Sequence, residues 1–235
     1  MERVTQVPNY SSICILRLSA IGDVCHAVSA VQAIQKAHPN AKITWVMGKI
    51  EAMLLADLPG VELVVFDKKQ GKDALKKLAH SFKGQQFDVL LNMQVALRAG
   101  FVARCIPAKV KIGFDWARSK ELHSLFINKR IAPQKEAHVL EGFKGFAGAI
   151  GVKDYSPTWD MPYTLADENK ADALLGPAYL ANKLLVISPA ASKAQRNWLP
   201  ERYAALADYA HEQGFNVVLT GGLTELEINL ANQII

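Results

Sequence analysis

No stretch of this sequence approaches the ~18 consecutive apolar residues that a membrane-crossing helix requires. Its first residues, MERVTQVPNYSS, lack the apolar core of a secretory leader. A spanning or exported protein is not expected, and a cytoplasmic one is. Cysteine is scarce: Cys14, Cys25 and Cys105 are odd in number and have no metal-type spacing. That argues against a disulfide framework and against a metal site, leaving Cys14 and Cys25 as small apolar residues of the first strand and helix. Internal repeats and low-complexity segments are missing. The basic residues are spread along the chain rather than interleaved with aromatics, so a nucleic-acid partner is not expected. Gly221-Gly222 has neither the Gly-x-Gly-x-x-Gly spacing nor a Walker lysine, and reads as a turn permitting close strand–helix packing.

What is present is ordinary globular material. The 235 residues are 50% hydrophobic and 21% charged, enough for one large domain or two modest ones with a substantial core. Lys and Arg number 27 against 22 Asp and Glu, a net charge of +5 that suits an anionic ligand or an anionic surface.

Apolar runs alternate with amphipathic segments. Strands are predicted at 13–18, 41–48, 61–67, 87–92 and 110–114, and helices from Asp23, at 51–58, 73–82, 96–105 and 138–150. This alternation predicts a parallel, doubly wound α/β sheet with right-handed crossovers. Residues 115–135 are polar and irregular. A low-pattern stretch with Pro157, Asp160 and Pro162 reads as a connection between domains. A second series follows, with strands at 184–189 and 215–221 and helices at 200–213 and 224–233. Two strand–helix units are few for a domain core, so further sequence beyond Ile235 is expected, as is apolar exposure on 184–187 and 217–219.

The chain is organised around ICILRLSAIGDVCH, residues 13–26, which reads as strand, tight loop and helix. Gly22 is expected to take a backbone geometry closed to other residues. Asp23 falls at the helix start, where it serves either as a cap or as a reactive carboxylate. In open α/β sheets, sites form at the carboxyl ends of strands, where this loop lies. Three such ends suggest one cleft: the Ser19–Asp23 loop; the end of the fourth strand with Gln94 and Arg98; and the PAASKAQRNW loop with Ser192, Lys193 and Arg196. A carboxylate that takes a proton from an attacking hydroxyl, facing cations that stabilise a departing phosphate, suits transfer from a phosphorylated donor. Gln94 as a plain strand-end hydrogen bonder, and Lys193 and Arg196 as loop charges, are the competing readings. His26 reads as a packed helix histidine, and His138 as a cap or packing group.

Several motifs in order carry a resemblance: ILRLSAIGDVCHAVSAVQAIQKAHPNAKITWV, DVLLNMQVALRAG, IGFDWARSKELHSLFINKR, EAHVLE and SPAASKAQRNWLPERYAALADYAHEQGFNVVLTGG. Together they resemble the bacterial ADP-heptose:lipopolysaccharide heptosyltransferases, glycosyltransferase family 9, most of all heptosyltransferase I. The resemblance implies a GT-B fold of two Rossmann-like domains: an acceptor-binding domain over 1–155, a connection over 156–182, and the first part of a donor-binding domain over 183–235. It implies inverting transfer of L-glycero-D-manno-heptose from ADP-heptose, a substrate rather than a cofactor, to Kdo-lipid A, without a dedicated metal. Peripheral contact with the cytoplasmic face of the inner membrane is a further expectation.

Carried residue by residue, Asp23 becomes the general base and Arg196 the cation facing the donor diphosphate, with Ser192 and Lys193 of the same loop placed on the donor side by the strand-end reading. Ser19 and Gln94 fall at positions that line the cleft, Arg118 and Lys120 lie in the segment that meets acceptor phosphates, and Arg98 is placed on the acceptor side by the strand-end reading. Val95 stands where the family commonly has glycine, and Arg196 where it usually has lysine, which keeps charge but alters geometry. The family's Asp-Thr-Gly-x-x-His motif does not occur before Ile235, so a chain ending there is expected to be inactive. The alternatives are a noncatalytic nucleotide- or sugar-binding α/β module, or a transferase using another sugar nucleotide. An Asp23 locked as a cap by buried hydrogen bonds would favour the module.

Overall fold

Alternating apolar runs and amphipathic segments become two compact units, 1–162 and 163–235, in the computed structural model, which describes residues 9–235 apart from 121 and 192. The first unit contains β1 (Ser12–Leu16), α1 (Ile21–Ala37), β2 (Lys42–Met47), α2 (Lys49–Leu54), β3 (Val61–Val65), α3 (Gly71–Ser81), β4 (Phe87–Asn92), α4 (Leu97–Arg104), β5 (Ala108–Gly113), β6 (Lys129–Arg130) and α5 (Val139–Ala149). Among the described residues its six strands are all parallel, in the order β3-β2-β1-β4-β5-β6. This is the doubly wound order whose direction reverses between β1 and β4.

The expected central strand is there because both of its faces are apolar. Ile13 and Ile15 lie in a core built with α1 and α5, including Val28, Ile34, Phe143 and Phe146. Cys14 and Leu16 lie in the opposite core with Ala74, Leu78, Ala99 and Val102 from α3 and α4. A strand buried on both sides reads as a continuous apolar run, which Ile13–Leu16 does.

Asp88 fastens the amino ends of three strands. Its Oδ2 accepts from the Ser11 amide at 2.9 Å, the Ser11 hydroxyl at 2.7 Å and the Ser12 amide at 3.1 Å. Its Oδ1 meets Lys109 Nζ of β5 at 2.7 Å. The Lys109 ammonium, with the Ser11 hydroxyl and amide next in weight, holds the carboxyl well below the usual carboxylate range.

The second unit contains α6 (Leu165–Leu175), α7 (Pro177–Leu180), β7 (Lys183–Ile187), α8 (Pro200–Glu212), β8 (Phe215–Leu219) and α9 (Glu225–Ile234). The two strands pair in parallel. Ile187 is buried while Val186 is exposed.

The structure departs from the sequence expectations at four places. Helix α1 starts at Ile21 rather than Asp23, with Ala20 in the extended N-cap geometry, so Asp23 sits at the third helical position. Gly22 is helical, and a Cβ there would meet nothing, so it needs no special backbone freedom. The close approach is instead at Gly48, where a Cβ would lie 2.6 Å from the Leu18 carbonyl oxygen. Residues 115–135 contribute β6, a strand too short to show alternation.

The stretch read as a connection divides. Residues 155–160 lie along α1: Tyr155 Oη is 2.7 Å from Ser29 Oγ, the Thr158 hydroxyl donates to Gln32 at 2.8 Å, and Trp159 Nε1 donates to the Cys25 carbonyl at 3.0 Å. Helix α6 follows from a capping box, with Thr164 Oγ1 accepting from the Asp167 amide and Asp167 Oδ2 accepting from the Thr164 amide. No helix among the described residues is long and apolar enough to cross a membrane.

Because the Asp88 carboxyl is depressed, its stabilisation is present above the unfolded carboxylate value and is lost as pH falls below it. Asp88→Asn should therefore cost about 1–3 kcal/mol near neutrality. The gap to the wild type should narrow below about pH 4. Thermal denaturation from neutral to acid pH checks this; a gap independent of pH would contradict it.

Candidate active site

The apolar β1 ends at Leu16, and the next residue is a cation. Arg17 continues the pairing through its amide, which donates to the Val46 carbonyl at 3.2 Å. Its side chain is 13% exposed. Nη1 donates to the Met93 carbonyl at 2.6 Å, the guanidinium carbon lies 5.7 Å from the Phe143 ring centroid, and Nη2 forms an ion pair with Asp23 Oδ2. Burial pushes the Arg17 guanidinium below the usual arginine value, and Asp23 opposes that push. Arginine remains charged under these conditions.

Asp23 occupies the first turn of α1, where the unpaired helix amides favour a negative charge. Its side chain is 35% exposed. The cap contact, from the Ala20 amide to Oδ2, is long at 3.4 Å. Oδ1 makes no hydrogen bond or ion pair among the described residues. One oxygen is thus fixed by Arg17 while the other is free to accept a proton.

Gln94, just past β4, ties the two reversal-point loops together. Its Oε1 accepts from the Leu18 amide at 2.8 Å, and its Nε2 reaches Ser19 Oγ at 3.5 Å. Ser19, Gln94 and Arg98 all line a cavity of about 620 Å³ at the carboxyl ends of β1–β4. Lys49, Lys68 and Lys69 border the same cavity, with Glu51, Phe66 and Asp67. Asp67 caps a short turn at 68–70, and the Lys69 amide, then the Gln70 side chain, hold its carboxyl below the usual range. Four cations against two carboxylates, beside an apolar phenylalanine, suit an anionic ligand of sugar size.

Asp23, Arg118 and Lys120 do not line that cavity. Arg118 is engaged by the buried Asp115, its Nη2 at 2.7 Å and Nε at 3.1 Å from Oδ2, with its guanidinium carbon 5.0 Å from the Phe114 ring centroid. Burial pushes the Asp115 carboxyl up, but Arg118 and the Gln134 amide outweigh it, and the net shift is downward. Lys120 is exposed. His138 caps α5 by accepting the Leu140 amide through Nδ1, and its ring packs edge-on against His26 at 5.9 Å between centroids. No group of three or more His, Cys, Asp and Glu converges among the described residues as a metal site would require.

In the second unit, Lys193 and Arg196 are exposed on the loop after β7, and Arg196 ends a single 3₁₀ turn. Ser192 lies outside the described residues. A hollow of about 250 Å³ at the carboxyl ends of β7 and β8 is lined by Pro189, Thr220, Gly221, Gly222 and Glu227, not by Lys193 or Arg196. The Gly222 amide donates to Glu227 Oε1 at 3.0 Å, and a Cβ on Gly222 would lie 2.7 Å from the same carboxylate. The glycine pair serves close loop–helix packing.

Sequence reasoning missed Arg17, Lys49, Lys68 and Lys69. For Arg17 the signal was available: a single cation closing an otherwise apolar central strand must find a partner. The three lysines follow β2 and β3, and only the strand order brings their loops to one cavity.

Residues 75–235 match the model of glycosyltransferase family 9 (heptosyltransferase). The chain is 42% identical over 234 residues to the lipopolysaccharide core heptosyltransferase OpsX of Haemophilus influenzae, covering all of this chain and 66% of that protein. A family 9 glycosyltransferase from Veillonella parvula superposes with a TM-score of 0.82 at 22% identity, over 97% of this chain and 68% of that one. Escherichia coli heptosyltransferase WaaC, solved with ADP-2-deoxy-2-fluoro heptose, superposes with a TM-score of 0.71 at 22% identity, over 95% and 72%. These two solved structures support the fold.

Replacing Gln94 by Leu should leave the Leu18 amide without its acceptor, costing about 1–3 kcal/mol. Hydrogen exchange at Leu18 should accelerate while β1 stays protected; unchanged Leu18 protection would contradict the tie.

Proposed function

The chain belongs to glycosyltransferase family 9, the heptosyltransferases, and on that basis we propose that the protein transfers L-glycero-D-manno-heptose from ADP-heptose to a Kdo-lipid A acceptor, with inversion, using Asp23 as general base. The single observation that carries the base assignment is the division of labour within one carboxylate: Oδ2 bound by Arg17, Oδ1 unengaged among the described residues. A fixed and partly exposed carboxylate of this kind has the geometry a general base needs.

The step conserves atoms and charge. The acceptor hydroxyl oxygen forms a bond to the anomeric carbon of the heptose, and its proton passes to Asp23. The bond from that carbon to the donor phosphate oxygen breaks, and ADP leaves with the electron pair. In this reading Lys193 and Arg196, with Ser192, meet the donor diphosphate and stabilise the charge growing on it. Ser19 and Arg98 contact the acceptor along the basic cavity, while Gln94 fixes the loop that presents Ser19. Arg118 and Lys120 belong to the loop that meets acceptor phosphates, Arg118 held in place by Asp115. The donor assignment draws support from WaaC, which was solved with an ADP-heptose analogue. The reading calls for no metal and no further cofactor. A noncatalytic binding module is disfavoured because Asp23 is not locked as a cap: its contact with the Ala20 amide is long and the group is partly exposed.

Asp23→Asn keeps an acceptor for Arg17 and for the Ala20 amide while removing the base. It should lower kcat by about 10²–10⁴-fold with donor affinity nearly unchanged. Asp23→Ala should lose similar activity and also stability, because it leaves the Arg17 charge uncompensated. Arg196→Ala should instead raise the donor KM as well as lower kcat. Steady-state kinetics on the full-length enzyme, run well below the melting temperature of every variant, separate these outcomes. Wild-type turnover in Asp23→Asn would end the catalytic assignment.

A further inference from the structure

The positive charge of this protein is not evenly distributed. Residues 95–130 carry eight Lys or Arg against two Asp or Glu, while the rest of the chain has 19 against 20. The same segment leaves large apolar side chains in solvent: Trp116 is 74% exposed, Leu122 64%, Leu125 72% and Phe101 47%.

Contacts link Phe101, the 123–126 turn that follows Leu122, and Trp116. The outer side of α4 presents Phe101, whose ring meets Phe126 edge-on at 5.7 Å between centroids. Gly100 permits that seat, since a Cβ there would lie 2.3 Å from the Phe126 ring. Phe126 ends the short turn 123–126 that carries Leu125, and Leu125 borders a shallow hollow shared with Arg104. Arg130 braces the other side. Its guanidinium lies 3.7 Å over the Trp116 ring, and its Nη2 donates to Ser124 Oγ at 2.7 Å.

Leu122 is the least expected residue here. Its φ of +61° is a left-handed geometry that a bulky side chain rarely adopts. It is also exposed, so neither packing nor turn chemistry accounts for a leucine at this position.

We propose that this face, α4 with the 115–130 loop, docks on the surface of an anionic phospholipid bilayer, Leu122, Leu125, Phe101 and Trp116 entering the headgroup boundary while Arg104 and the neighbouring cations meet lipid phosphates. Exposed apolar side chains in a segment rich in Arg and Lys, with Arg104 beside Leu125 and Arg130 against an amphipathic tryptophan, match interfacial binding. A nucleic-acid site would use the cations but gain nothing from aliphatic leucines. The inference draws on the lipid-linked acceptor only for its biological sense. Its test involves neither donor nor acceptor, so the two readings can fail separately.

The experiment is flotation of the full-length protein with phosphatidylcholine vesicles and with phosphatidylcholine–phosphatidylglycerol vesicles. Binding is expected to the anionic vesicles alone, and it should fall as salt rises from about 0.05 to about 0.5 M. The Leu122→Ser/Leu125→Ser double variant should bind at least about tenfold more weakly at unchanged charge. Arg104→Gln should weaken binding by a smaller factor. Both sites are exposed, so the melting temperature should not move. Quenching of Trp emission by brominated acyl chains should appear in the wild type and be lost in Trp116→Phe. Absence of binding at low salt overturns the proposal. So does undiminished binding of the double leucine variant, which would mark the face as a general polyanion site.

Discussion

The ion pair between Arg17 and Asp23 is the constraint on which the site depends. A guanidinium at the mouth of a doubly covered sheet requires a counter-charge, and Asp23 supplies it from the first turn of α1, where helix amides also favour a negative charge. Fixing Oδ2 on Arg17 leaves Oδ1 open. Breaking such a partly buried pair from either side should be costly, because the remaining charge is stranded.

That pair stands where it does because of strand order. The sheet reverses direction between β1 and β4, and the loops leaving those strands diverge to opposite faces. Gln94 holds them together across the gap, and Gly48 lets the end of β2 approach Leu18. The cationic cavity beside them is assembled from residues after β1, β2, β3 and β4. At the other end of the sheet Asp88 fastens β1, β4 and β5 through groups unrelated to the site. The Asp88 fastening and the proposed general base therefore lie at opposite ends of the same strands.

Most of the first unit was legible in the sequence because burial on both faces makes parallel strands apolar throughout. The run at 13–16 and the FDVLLN segment are examples, the latter matching β4 residue for residue. What stayed hidden lacked a hydrophobic period. Strand β6 has two residues, and α6 buries none of its side chains; its only signal was the Thr164–Asp167 capping box. Asp23 was legible as a residue of note but not in its geometry, since a helix start two residues earlier separates a cap from a side chain aimed at Arg17. Gln94 shows the reverse: its bland reading as a strand-end hydrogen bonder describes what it does, and that tie is what places Ser19. The lysines at 49, 68 and 69 were invisible as a group because they lie on two separate loops, after β2 and after β3, that only the strand order brings together.

The central claim is that Arg17 acts on turnover through Asp23, and a double-mutant cycle on kcat tests it most directly. Arg17→Met, Asp23→Asn and the double variant are compared with the wild type in the full-length enzyme, with donor and acceptor saturating. If Arg17 works by positioning the base, its replacement lowers kcat in the wild-type background and changes little once Asp23 is Asn, so the losses are strongly non-additive. Losses that simply multiply would show that Arg17 and Asp23 act independently, and the account of the site would be wrong.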